Sequence, residues 1–139
     1  MTTRRASTAW WILLLVAVLS VFPVATAVIS QADAVDDPLG TCWAADLPAG
    51  VVPHDNTLRS VEVTTFPVGA HCDWEAGDVQ TGWPLTIAAL VGSAACLVAT
   101  AFALRVGPAA RRVVSALPLV AVVVIWIVLS QNTLFVIID

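Results

Sequence analysis

Three stretches of this chain, residues 9–29, residues 84–104 and a third that begins at Val113, contain no Asp, Glu, Lys, Arg or His. The first two are each about 21 residues long, close to the ~20 that a helix needs to cross ~30 Å of hydrocarbon. Lipid offers no partner for a free backbone N–H or C=O, so apolar runs of this length are expected as transmembrane helices. Composition agrees: 59% of the 139 residues are hydrophobic and 12% are charged, which places the chain in the membrane class.

The third run has two readings. Residues 113–129 are short for a span, whereas 117–138 is long enough only by including Ser130, Gln131, Asn132 and Thr133. A helix starting near Val114 or Leu117 is preferred, with a span assigned to 113–136 and the polar quartet near the outer interface.

Charge orients these spans. Arg4 and Arg5 precede the first run, and Arg105, Arg111 and Arg112 lie between the second and the third. The acidic residues lie in the connection 30–83, apart from Asp139. Short Arg-bearing segments stay cytoplasmic. The expected order is therefore a cytoplasmic N-terminus (1–8), helix (9–29), acidic extracytoplasmic domain (30–83), helix (84–104), cytoplasmic loop (105–112), helix (113–136) and extracytoplasmic C-terminus (137–139) in the cell membrane. The acidic connection carries nine acids against one base, Arg59, which argues against nucleic acid or anionic lipid as its partner. The inner arginines suit phospholipid headgroups but are few, and they are read as topology determinants facing membrane lipid. The absence of Lys and the wealth of Ala, Val and Arg fit a GC-rich bacterial genome.

The first run also spells a signal peptide: an Arg pair, an apolar stretch from Trp10 to Phe22, Pro23, and then Ala25-Thr26-Ala27. Its uninterrupted length exceeds the ~7–15 residues of a signal core, and Trp10-Trp11 sit where an aromatic belt would anchor a permanent helix. Retention is preferred. Cleavage would leave two spans instead of three, with the acidic segment outside either way. The Arg pair lacks the apolar follow-on of a twin-arginine signal.

Within the acidic segment, Cys42 and Cys72 are expected to form a disulfide. A loop of about 31 residues closed in this way stabilises by about 3–4 kcal/mol in the chain-entropy treatment, which matters for so short a domain. Residues 60–66 alternate β-branched with polar residues, and 70–74 alternate again with Ala70, Cys72 and Trp74 on one face. Pro67-Val68-Gly69 supplies the turn of this β-hairpin, and Val79-Gln80-Thr81 offers a short third strand. Residues 31–56, broken by Pro38, Gly40, Pro48, Gly50 and Pro53, read as coil or linker. Trp43 and Trp74 flank the cysteines and are expected to cluster around the bridge. With His71 and Asp73 they are also the candidate ligand contacts.

Chemistry has little support. His54, His71, Cys42 and Cys72 lack metal-site spacing, and the thiols are expected to be oxidised. No nucleophile elbow, phosphate loop or His-Glu-x-x-His helix occurs. His71 and Asp73 could act as base and orienter on one strand face, but no nucleophile accompanies them. The spans carry no ionisable group for a proton relay. No enzyme, no metal and no cofactor is expected.

The second span carries a packing signal. Ala88, Gly92 and Cys96 follow at four-residue steps, as do Ala95, Ala99 and Ala103, and small residues at this spacing let helices approach closely. The neighbour could be the first run, the third, or another protein.

Residues 66–74, Phe-Pro-Val-Gly-Ala-His-Cys-Asp-Trp, followed by a span and an Arg-bearing inner loop, resemble a Phe-Pro-x-Gly-x-x-Cys pattern of small actinobacterial membrane proteins with no established activity. The resemblance covers roughly the second half of the chain; it implies the same architecture and no catalytic residue. The expected protein is thus membrane α-helical with a small disulfide-stapled β-hairpin ectodomain between helices 1 and 2. Its expected role is that of an accessory or interaction protein, through a membrane-protein partner or self-association. The alternative is an extracytoplasmic sensor of a cation or small ligand.

Overall fold

The computed structural model describes residues 2–51, 57–106 and 111–138. His54, one of the weighed metal ligands, and the terminal Asp139 lie outside the described residues. Among the described residues, four helices and four strands follow in the order α1 (Thr2–Asp36), α2 (Pro38–Ala44), β1 (Leu58–Thr64), β2 (Gly69–Trp74), β3 (Gly77–Gln80), α3 (Trp83–Val106), α4 (Arg112–Gln131) and β4 (Leu134–Ile137). Residues 8–36 of α1, α3 and α4 are each long and apolar enough to cross a membrane. The chain is a multi-pass membrane protein by that criterion.

The first two spans lie where the apolar runs place them, but helix and apolar run do not end together. The α1 helix continues past Ile29 to Asp36, through Pro23 and through Ala25-Thr26-Ala27. Hydropathy marks where a helix leaves hydrocarbon; the backbone can go on hydrogen-bonding itself in water. Of the expected coil 31–56, residues 31–36 are therefore corrected to the last turns of α1 and 38–44 to α2, while 45–51 lie outside helix and strand as expected and 52–56 lie outside the described residues. Asp37 caps α2 by accepting the Gly40 N–H at 2.9 Å, with Pro38 in the first turn, the arrangement favoured at helix starts.

The third span is corrected at both ends. It begins at Arg112 and stops at Gln131, so residues 132–136, expected as helix, are not helical. Leu134–Ile137 instead form β4, antiparallel to β1, with Val61 opposite Val136 and Glu62 opposite Phe135. The open edge of β1 offers these residues a ladder that no local pattern advertises.

By internal contacts the chain divides into two units, residues 1–25 with 88–127 and residues 26–87 with 128–139. In the first, every pair of helices has a specific contact. A Cβ placed on Gly92 of α3 would lie 2.7 Å from the Ser20 carbonyl oxygen and 2.6 Å from Pro23 Cγ on α1. The Trp126 indole N–H of α4 donates to Ser93 Oγ of α3 at 3.0 Å, and the Trp10 indole N–H of α1 donates to Ser115 Oγ of α4 at 2.9 Å. Trp11 is exposed as a belt residue should be, but Trp10 is only 4% exposed. Its ring packs inside the unit, a correction to the expected belt pair.

In the second unit the sheet order is β3-β2-β1-β4, and the expected hairpin is the middle of a four-stranded antiparallel sheet. Its β1–β2 turn, containing a cis Phe66–Pro67 peptide, is held by residues from three helices. Gln31 Nε2 donates to the Thr64 carbonyl at 3.3 Å, Thr65 Oγ1 donates to the Leu129 carbonyl at 3.1 Å, and the Val68 N–H donates to Thr86 Oγ1 at 2.8 Å. Gly82, at φ +84°, passes so close to the Val68 carbonyl that no side chain fits.

Candidate functional site

Strand alternation gives the sheet two faces with different characters. On the inner face Cys42 of α2 and Cys72 of β2 are joined by a disulfide, both fully buried. Leu58, Val61, Ala70 and Trp74 complete this core, with Trp43, Leu47, Val51, Val79 and Ile138 packed against it. Trp43 meets Trp74 edge to face at 4.8 Å between ring centroids, a favoured aromatic geometry. The expected cluster around the bridge is present. Trp74, a candidate ligand contact, is 2% exposed and belongs to that core; Trp43 is half-buried at its rim.

The other face carries two rows of directly paired residues. Phe135, Glu62, His71 and Gln80 form one across β4, β1, β2 and β3; Ile137, Ser60, Asp73 and Asp78 form the second. Phe135 is 60% exposed and Ile137 67%, on an edge strand that has no partner on its far side among the described residues. Natural edges are usually blunted by charge, proline or a bulge. No charge or proline lies within β4, so the edge keeps its capacity to pair. His71 and Asp73 therefore do share a face, each half-buried, beside an apolar pair of which Phe135 falls inside the expected third membrane helix and Ile137 just beyond its end. The signal that could have found it was Asn132-Thr133, two helix-disfavouring residues ahead of the β-favouring Leu134-Phe135-Val136-Ile137.

Among the described residues no three His, Cys, Asp or Glu side chains come close enough together to hold a metal ion. The ion pair Arg59–Glu75 at 3.3 Å has both partners exposed and contributes little to stability.

The small-residue ladder of α3 is only partly as expected. Gly92, Cys96, Ala99 and Ala103 are buried and Ala95 is half-buried, whereas Ala88 is exposed and Ala89 is buried in its place. The correction reflects helical geometry: at 3.6 residues per turn, a strict four-residue step drifts round the helix. Gly92 approaches α1, so at that point the ladder serves the chain's own packing.

No family model matches the chain, and neither a curated protein nor a solved structure matches it.

Proposed function

We propose that this is a three-span protein of the cell membrane that acts as an accessory or interaction protein, using the Phe135 and Ile137 side of its outer sheet as the contact surface. The observation that carries the reading is the uncharged edge of β4, unpaired among the described residues, with two large apolar side chains exposed beside Glu62, His71 and Asp73. A free edge strand takes another strand by backbone hydrogen bonding, and flanking side chains select the partner. The partner class is another membrane protein or a second copy of the chain. Close packing at Gly92 leaves less of α3 for outside contacts.

The topology fits. Arginine-bearing segments 1–8 and 105–112 face the cytoplasm. The crossings by α3 and α4 return residue 134 to the side of residue 83, in keeping with the pairing of β4 to β1. Retention of the first helix belongs to this reading and is supported by the contacts of Ser20 and Pro23 with Gly92 and of Trp10 with Ser115.

A photo-cross-linking residue at position 135, introduced in intact cells, tests the reading. A discrete protein adduct that Ile137→Asp abolishes is expected, its mass distinguishing a second copy from another protein. Lipid adducts alone, or none, would overturn it.

A further inference from the structure

An apolar groove of about 540 Å³ runs between α1 and α4. Leu14, Val18 and Phe22 form one wall, Val114, Leu117 and Ala121 the other, and no polar residue lines it. On α1 the lining continues to Ala25, so it extends about 16 Å at ~1.5 Å per residue. Counted from residue 9, the lining begins about 7 Å inside a ~30 Å hydrocarbon core and ends past its middle, a path that one acyl chain entering from the Arg side can follow.

The Arg-bearing end of this groove has an ordered polar structure. The Arg111 guanidinium lies 4.7 Å from the centroid of the Trp10 ring, and Trp10 is fixed by its bond to Ser115, one residue from the groove wall at Val114. A guanidinium held over a ring face by its charge keeps N–H donors for a bidentate acceptor. Arg112 is exposed beside it. Arg4 and Arg5 belong to the first turns of α1, ahead of Trp10. Among the described residues neither Arg111 nor Arg112 has a carboxylate within ion-pair distance. The first unit contains no acidic residue at all: every Asp and Glu of the sequence falls within 26–87 or at 139.

We infer that this groove is a binding site for an anionic phospholipid of the Arg-side leaflet, one acyl chain lying between α1 and α4 and the phosphodiester on the Arg111 and Arg112 guanidiniums. Basic sites between helices at the cytoplasmic surface suit such headgroups. The inference is independent of the sheet edge and of its partner. Positive charge alone would gather anionic lipid diffusely; the groove supplies a place for the chain, and the contact with Trp10 holds Arg111 at its end before lipid arrives.

Native mass spectrometry of the full-length protein in detergent tests it, with phosphatidylglycerol and phosphatidylcholine of identical chains as probes. Phosphatidylglycerol is expected to be retained in preference, and Arg111→Gln or Arg112→Gln each to lower that retention about fivefold. Ala121→Trp, which fills the groove, should remove the adduct, while Val98→Trp at an exposed position of α3 should leave it. If Ala121→Trp does not fold by circular dichroism, Val18→Phe narrows the same groove and is read instead. Glycerol 3-phosphate should not displace the lipid. Equal retention of both lipids, an adduct that survives a folded groove-filling variant, or displacement by the soluble phosphate would each overturn the site.

Discussion

Replacing Cys42 and Cys72 together by Ala should loosen the four-stranded sheet without disturbing the long apolar helices. The bridge joins residues 30 apart in sequence, and a link of that length removes about 3.6 kcal/mol worth of open-chain entropy. That value applies to a chain with free ends. Here the segment is anchored by α1 before it and α3 after it, so the open state is already a closed loop. A link across an existing loop behaves as one of roughly a third that length, which lowers the figure to about 2.7 kcal/mol. The open population of the sheet should then rise about 100-fold. Hydrogen exchange of the β1 and β2 amides, followed by mass spectrometry in micelles, reads this directly. A rise below about threefold would refute the loop-entropy reasoning. An equal rise in α3 peptides would show instead that the bridge stabilises the whole chain.

Two further outcomes rest on individual contacts. Gly92→Val places side-chain atoms against the Ser20 carbonyl and Pro23 and should destabilise the bundle by about 1–3 kcal/mol in denaturant titration, while Ala101→Val on the exposed side of α3 should be silent. Val136→Asp puts a charge on the inner face of β4, where it should release the C-terminal strand to proteolysis at a cost of about 1–3 kcal/mol; Phe135→Ser, on the outer face, should stay within about 0.5 kcal/mol of the parent. Equal effects of the two would refute the assignment of faces.

Short-range rules account for the part of the fold that is legible in the sequence. An uncharged run of about 21 residues can only satisfy its backbone in lipid as a helix. Alternation at 70–74 puts Ala70, Cys72 and Trp74 on one face, and the cysteine pair is implied by their shared compartment. The helical cap at Asp37-Pro38 is equally local, and is obscured when Pro and Gly are taken only as linker signals.

The features that only the tertiary structure decided depend on partners distant in the chain. Leu134–Ile137 are apolar enough for a span, and the helix-disfavouring Asn132-Thr133 ahead of them only weaken a helix without naming a strand partner; the open edge of β1, more than 70 residues away, settles it by supplying hydrogen-bond partners. Trp10 has the sequence position of a lipid-facing anchor, yet Ser115 and Arg111 hold it inside the bundle. Burial of the ladder on α3 likewise depends on which face α1 meets, because a stripe of small residues permits close approach but does not choose the neighbour. Local pattern determined which segments enter the membrane and which face of the hairpin is apolar. Contacts between distant segments determined where the third helix stops, and which apolar side chains remain outside.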